Sequence, residues 1–270
     1  MLEIIPTHFE HPSDVKVAPN VVPKSPYTLF EPHVERVGAN GSVEVLDAQQ
    51  VLDQMKQYSL DRGFKPPYTY MMGSEGGDTV GSVLDTEASE ILEEVDGIIS
   101  SPEALRGILT SVARVAVQSG FDREKAVFCA NFLYPSNENN ANLTLHSDGL
   151  SGNVKSDTES AKVVRFVYAL GPGTLLYPSL DKEGHSVEEG SPEEGVVSLS
   201  PESIDPIRAI NAARGTEVTQ EELERSDEQQ VMPGCILGFD PTRTLWHKAP
   251  GGEERPILVI DIAEVESPSA

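Results

Sequence analysis

The chain has 270 residues and a formal net charge of −24, with 38% hydrophobic and 24% charged residues. Such a composition is typical of a globular protein that can bury a substantial core. The negative charge repels phosphate backbones and anionic lipid, so binding to nucleic acid or membrane is disfavoured. The sequence has no long apolar run typical of a transmembrane helix and no secretory signal at its amino terminus, which predicts a cytoplasmic protein.

The first part of the chain is predicted to be an arm followed by a helix and a loop. Residues 1–42 are rich in proline and predict an extended arm. Apolar residues at helical spacing predict a helix over 44–62. Clustered proline and glycine in 63–85 predict a loop, placed so that it could cover a site.

Two more helices are predicted before the sequence pattern changes. The first covers about 86–99, and the second begins at Ser101-Pro102, where serine can cap the helix and proline suits its first turn. Gly120 is a suitable C-terminal cap for this second helix. Its apolar stripe is expected to cover one face of a sheet and consists of Leu105, Ile108, Leu109, Val112, Val115 and Ala116.

From Val127 onward, short strand-like segments replace the helices. We therefore divide the chain into supporting residues 1–126 and a core of 127–270, which together are expected to form one structural domain. Within the core, an acidic insertion at about 179–230 contains helical stretches near 201–213 and 219–229 and is a candidate lid. Cys129 and Cys235 lie in apolar runs and are predicted to be buried free thiols, as in a reducing compartment.

The stretch His146-Ser147-Asp148 is the first candidate for chemistry. Alternating polar and apolar residues precede it and Gly149 follows it, which favours the end of a strand. Residues at i and i+2 of a strand leave the same face, so His146 and Asp148 could both bind one ion. Two imidazoles and one carboxylate are the ligands that hold a non-haem Fe(II) on one face and leave positions open for substrate and oxygen.

The second imidazole is supplied by His247, which lies on another strand-like segment. Gly251-Gly252 predicts a hairpin after that segment, with Arg255 at the start of the returning strand. Across such a hairpin, Arg255 would come back to the iron site. Iron needs no second cation, but an anionic co-substrate that chelates the metal at one end needs its far carboxylate held by an arginine.

Together, His146-x-Asp148, His247 and Arg255 resemble the signature of the Fe(II)/2-oxoglutarate-dependent oxygenases. The resemblance covers about half the chain, roughly 127–265. It implies an α+β protein with a double-stranded β-helix (jelly-roll) core, flanked by the N-terminal helices and interrupted by the lid-like insertion. It also implies that Fe(II) is the metal and 2-oxoglutarate the co-substrate.

Asn131 and Tyr134 extend the resemblance, because the family often places a polar or phenolic contact to 2-oxoglutarate on the strand before the His-x-Asp strand. The segment from Arg165 and Tyr168 to Gly171-Pro172-Gly173-Thr174 is similar to a core strand and turn of some members, but whether Arg165 and Tyr168 face the site or the surface is left open. The usual Arg-x-Ser pattern reads Arg255-Pro256-Ile257, so the usual hydroxyl partner of 2-oxoglutarate is missing.

The resemblance implies an enzyme that uses O2 and 2-oxoglutarate to oxidise an unactivated C–H of a small molecule, with succinate and CO2 as products. Because Asp148 is present, whereas halogenating members lack this carboxylate, hydroxylation or a related oxidation is expected. Three alternatives stay open: a cupin-like metalloenzyme that does not use 2-oxoglutarate, a zinc hydrolase, and a non-catalytic jelly-roll binding protein. The sequence determines neither the substrate nor the oligomeric state.

Overall fold

The computed structural model describes residues 27–63, 68–72, 78–85, 89–96, 102–134, 146–147, 162–177, 228–241, 245–250 and 255–264, and of residues 68–71, 94–96, 102, 134 and 146–147 only the backbone. No helix within these ranges is both long enough and apolar enough to cross a membrane.

The N-terminal part of the described chain combines short strands with four helices. In chain order they are β1 (Tyr27–Phe30), β2 (Glu35–Val37), β3 (Val43–Val45), α1 (Ala48–Asp61), β4 (Tyr68–Met72), β5 (Asp78–Thr79), α2 (Val80–Asp85), α3 (Glu90–Asp96) and α4 (Pro102–Gln118). The described residues of the C-terminal part contain strands: β6 (Val127–Tyr134), β7 (His146–Ser147), β8 (Lys162–Ala169), β9 (Leu175–Tyr177), β10 (Gln229–Gln230), β11 (Ile236–Phe239), β12 (Trp246–Lys248) and β13 (Ile257–Glu264).

Two antiparallel sheets contain eleven of these strands, and β2 and β3 form a separate antiparallel pair. The major sheet has the order β1-β11-β8-β13-β6-β4, with β5 also paired to β6, and the minor sheet has the order β10-β9-β12-β7. From β6 onward, the chain passes repeatedly between the two sheets: β6, β8, β11 and β13 belong to the major sheet, and β7, β9, β10 and β12 to the minor one. The protein thus combines helices with mostly antiparallel sheets, which confirms the predicted combination of helices and sheets.

The helices cover one face of the major sheet because their apolar stripes pack against it. The predicted stripe of α4 is confirmed: Leu105, Ile108, Leu109, Val112 and Ala116 have no exposed surface, and Val115 is partly buried against the same cluster. The helix ends where Gly120 adopts a φ of 86°. There the amides of Gly120 and Phe121 donate to the carbonyls of Val117 and Ala116, which satisfies the last turn.

Alternation along the strands separates the two faces of the major sheet. In β8, the side chains of Val164, Phe166 and Tyr168 pack in the hydrophobic core to which the helices also contribute. Val167 instead packs with a second cluster, whose members come from both sheets: Leu176, Val231, Cys235, Leu237, Phe239 and Leu245. Because successive residues of a strand face opposite ways, Arg165 lies on the face turned toward the minor sheet. We call this face the inner face.

Several predicted elements differ from the structure. The region 63–85 is not a loop throughout, because it contains β4, β5 and α2, and residues 27–30 of the predicted arm form β1 of the major sheet. The helix predicted over 44–62 begins later, since β3 occupies 43–45 and Asp47 caps α1 through a reciprocal pair of hydrogen bonds with Gln50. The helices predicted near 201–213 and 219–229 fall almost wholly outside the described residues, although 229–230 form β10.

The predicted hairpin between His247 and Arg255 is wrong. Strand β12 lies in the minor sheet and β13 in the major sheet, so the chain crosses between sheets at this point instead of folding back beside itself. A Gly-Gly pair marks a change of direction, but it does not determine which sheet the next strand joins.

Candidate active site

The two predicted histidine ligands lie opposite each other in the minor sheet. His247 of β12 is the register partner of His146 of β7, and on its other side it is the partner of Leu176 of β9. Opposed Cα atoms of antiparallel strands are about 4.5–5.5 Å apart, so the two positions are close enough for one ion to be reached from both. Asp148 and the side chain of His146 lie outside the described residues.

His247 has the surroundings of a histidine prepared to bind a metal. Its residue is 8% exposed, and its ring lies 5.7 Å from that of Phe239, on the inner face. Its Nδ1 is 2.8 Å from the carbonyl oxygen of Leu245. Because a carbonyl can only accept, Nδ1 carries a proton and donates it to this oxygen. Such a second hydrogen bond orients metal-binding imidazoles.

Arg255 is buried, and its guanidinium is hydrogen-bonded to the turn between β8 and β9. Its Nη1 donates to the carbonyl of Pro172 at 2.7 Å, and its Nη2 donates to the hydroxyl of Thr174 at 3.2 Å. The residue is 7% exposed. Within the described part of the chain its Nε has no partner, and no carboxylate pairs with the guanidinium. Burial lowers the pKa of Arg255 to about 10, so the group remains a cation at neutral pH.

The anchor of Arg255 and the imidazole of His247 lie on neighbouring segments. Thr174 directly precedes β9, and Leu176, two residues further on, is the register partner of His247. Two residues of a strand span about 7 Å. The backbone position that anchors Arg255 is therefore about 7 Å along the chain from the register partner of His247.

Asn131 is buried on the inner face of β6. Its neighbours Ala130 and Phe132 pack toward the helices, so Asn131 faces the other way and pairs in register with Val259. It is 7% exposed. Tyr134 ends β6 opposite Tyr68, and its side chain lies outside the described residues.

The structure resolves the positions of Arg165 and Tyr168, which the sequence left open. Tyr168 faces the helices, where burial raises the pKa of its hydroxyl. Arg165 faces the inner side and forms two hydrogen bonds to Asp261 of β13, at 2.7 and 3.0 Å. Asp261 was not recognised from the sequence because it stands within an apolar run, although its alternation with the helix-facing Ile260 and Ile262 was the available signal.

Within the described ranges, no group of three His, Cys, Asp or Glu side chains could hold a metal ion. The complete triad of His146, Asp148 and His247 therefore stays a prediction, supported by the register of β7 and β12. Cys129 and Cys235 are buried free thiols, as predicted.

No protein-family model matches the chain, and no curated protein matches it. Among solved structures, it is similar to EvdO2 from Micromonospora carbonacea var. aurantiaca, with 12% identity, a TM-score of 0.42, and coverage of 91% of this chain and 90% of that one. It is also similar to HygX from Streptomyces hygroscopicus with nickel and 2-oxoglutarate bound, at 13% identity, a TM-score of 0.40, and coverage of 90% and 83%.

A third similar structure is a prolyl-4-hydroxylase from Pseudomonas putida, at 12% identity, a TM-score of 0.37, and coverage of 88% and 92%. EvdO2 has also been solved with 2-oxoglutarate, and HygX with iron. These are the ligands that the sequence resemblance implies.

Proposed function

We propose that this protein is an Fe(II)- and 2-oxoglutarate-dependent oxygenase that hydroxylates, or otherwise oxidises, an unactivated C–H of a small molecule. The observation that carries the proposal is the buried guanidinium of Arg255, which has no carboxylate partner among the described residues. An unpaired buried charge costs several kcal/mol by general estimates, so this cation fits a site that receives an anion.

The topology supports a double-stranded β-helix. In that fold, two four-stranded sheets face each other and the chain alternates between them. Here the strands from β6 onward fall into two such sets, β11-β8-β13-β6 within the major sheet and β10-β9-β12-β7 in the minor sheet. The interior between the two sets is where the inner-face residues Asn131 and Arg165 lie.

The donor set suits Fe(II). His146, Asp148 and His247 would supply two imidazoles and one carboxylate, and the ring of His247 is oriented by the carbonyl of Leu245. The carboxylate of Asp148 would occupy a position that halogenating members leave for chloride, which favours hydroxylation. Arg255 would hold the far carboxylate of 2-oxoglutarate, and Asn131 and Tyr134 would line the space between that carboxylate and the metal.

When bound, Fe(II) and 2-oxoglutarate supply the oxidative chemistry, in which O2 converts the co-substrate to succinate and CO2 and a substrate C–H is oxidised. The protein supplies position and environment. Arg255 neutralises and orients the far carboxylate, so that the 2-oxo acid end is directed toward the histidines. The apolar cluster around Leu176, Leu237 and Phe239 keeps water from the interior.

An anaerobic titration tests this proposal. Protein reconstituted with Fe(II) should develop the weak charge-transfer absorbance of a chelated 2-oxo acid when 2-oxoglutarate is added. Asp148→Ala should abolish succinate formation. Arg255→Met should retain Fe(II) but bind 2-oxoglutarate about 10- to 100-fold more weakly, as expected for loss of hydrogen bonds to a charged group.

Arg36→Met is the matched control, because Arg36 is an exposed arginine of β2 whose ion pair with Glu44 lies at the surface. It should bind both ligands as the wild type does. Metal binding without 2-oxoglutarate binding would instead indicate a cupin-like metalloenzyme of another kind. A protein that binds neither ligand would contradict the proposal.

A further inference from the structure

We propose that Arg165 and Asp261 are specificity-determining residues: together they select a substrate whose contacting group is polar but uncharged, such as an alcohol or a carboxamide. The inference rests on the proposed function, and it concerns the molecule that is oxidised, not the co-substrate. It gives a role to a buried ion pair that belongs neither to the candidate metal ligands nor to the residues proposed to hold 2-oxoglutarate.

The pair belongs to a line of side chains that crosses the inner face and ends beside the candidate metal site. Asp261 of β13 pairs in register with Cys129 on one side and with Arg165 on the other. Arg165 in turn is the register partner of Phe239, whose ring lies 5.7 Å from that of His247. Neighbouring strands are about 4.8 Å apart, so the pair lies one and two strands away from the residue that contacts the candidate metal ligand.

This part of the inner face lies away from the residue proposed to hold 2-oxoglutarate. Ile257, the first residue of β13, follows Arg255 by two positions, and Asp261 lies four residues further on. Four residues of a strand span about 13 Å. A five-carbon diacid is shorter than this, so one that is held by Arg255 does not also cover the pair. The inner face at the pair therefore suits the second molecule that the reaction needs, which is the substrate.

Stability alone does not account for the pair. Arg165 and Asp261 are 8% and 2% exposed, and two hydrogen bonds of 2.7 and 3.0 Å join them. The side chains two positions before and after each of them, on the same face, are all apolar: Val163, Val167, Val259 and Ala263. Apolar residues in place of a buried ion pair are often as stabilising as the pair itself. Recognition of a ligand is a role that the two charges can serve and apolar side chains cannot.

The chemistry of the pair determines which group it recognises. A guanidinium carries five N–H groups and a carboxylate offers about four acceptor positions, more than the two hydrogen bonds within the pair use. A hydroxyl or a carboxamide can donate to Asp261 and accept from Arg165 at the same time. The pair has no net charge, so an added carboxylate or ammonium would leave one uncompensated charge in the interior, which is costly. The pair therefore favours a neutral polar group over a charged one.

Two probes of nearly the same shape, isobutyramide and isobutyrate, test this selection because they differ in charge. Their dissociation constants are measured through the change that each causes in the charge-transfer absorbance of the anaerobic Fe(II) protein saturated with 2-oxoglutarate. Asp261→Asn removes the negative charge and keeps the shape, and Arg165→Met/Asp261→Leu removes both charges. Glu44→Gln is the matched control, because the carboxylate of Glu44 pairs with Arg36 at the surface. Circular dichroism of the metal-free proteins checks folding.

We expect the wild type and Glu44→Gln to bind isobutyramide about 10- to 100-fold more tightly than isobutyrate, as for hydrogen bonds to charged groups. Asp261→Asn should reverse this preference, because its uncompensated guanidinium attracts a carboxylate. The double variant should bind the two probes within a few-fold of each other, and it decides the question if Asp261→Asn does not fold.

Three results would overturn the inference: a wild type that binds isobutyrate as tightly as isobutyramide or binds neither, a folded Asp261→Asn with the wild-type preference, or a double variant that keeps that preference. In each of these cases the binding of 2-oxoglutarate still supports the proposed function. If the wild type binds no 2-oxoglutarate, the proposed function fails and this inference fails with it.

Discussion

Breaking the ion pair between Arg165 and Asp261 is expected to lower the free energy of unfolding by a large amount. The two residues are register partners on β8 and β13, and they are 8% and 2% exposed. Two hydrogen bonds of 2.7 and 3.0 Å join them. Arg165→Met would leave the carboxylate of Asp261 buried without this cation, and loss of one partner of such a pair costs about 3–5 kcal/mol. That is a large part of a typical unfolding free energy of about 5–15 kcal/mol.

The protein contains a matched surface pair. Arg36 and Glu44 approach to 2.6 Å across β2 and β3, but their side chains are 45% and 50% exposed. An ion pair in water contributes about 0–1 kcal/mol, because solvent screens the charges and both side chains lose freedom. Arg36→Met should therefore change the unfolding free energy several-fold less than Arg165→Met does.

Urea denaturation of the metal-free proteins at neutral pH provides the measurement. The double variant Arg165→Met/Asp261→Leu should recover most of the stability lost by Arg165→Met, because no uncompensated charge then remains in the interior. If Arg165→Met costs no more than Arg36→Met, the burial argument is refuted. A double variant that is less stable than Arg165→Met alone would show that the two charges do not depend on each other.

Two further predictions concern packing and pH. Gly173→Ala should lower the unfolding free energy by about 1–3 kcal/mol, because the added Cβ would collide with the backbone of Val231. Thermal or urea unfolding measures this change, and an unchanged midpoint would contradict the contact. Burial, and then Asp261, raise the pKa of the Cys129 thiol. The thiol therefore keeps its proton up to a higher pH in the folded state than in the unfolded state. The free energy of unfolding should fall as the pH rises above about 8.5. Cys129→Ala should make that fall shallower in urea unfolding curves recorded at several pH values.

Local sequence patterns predicted the elements whose cause is local. The stripe of α4 and its end at Gly120 follow from helical spacing and from a residue that tolerates positive φ. The change to strands at Val127 was likewise visible and is confirmed by β6. In both cases the physical reason for the element lies within a few residues of it.

Elements that depend on distant partners were missed. Strand β1 lies in a proline-rich stretch and exists because it pairs with β11, more than two hundred residues further along the chain. Strand β4 is flanked by proline and glycine and forms because it pairs with β6. The alternation of apolar residues is weak in both segments, so their sequences alone favoured an arm and a loop.

The net charge of −24 and the buried cation of Arg255 would act on the proposed anionic co-substrate over different distances. At long range the protein repels a dianion, and salt weakens that repulsion because the screening length is only about 8 Å at physiological ionic strength. At short range Arg255 is 7% exposed, so salt screens its attraction much less. The association rate of 2-oxoglutarate, measured by anaerobic stopped-flow absorbance, should therefore rise with sodium chloride concentration. The ratio of the dissociation constants of Arg255→Met and the wild type should change little. An association rate that falls with salt would mean that the approach to the site is positively charged, and that the acidic residues lie away from the path of the co-substrate.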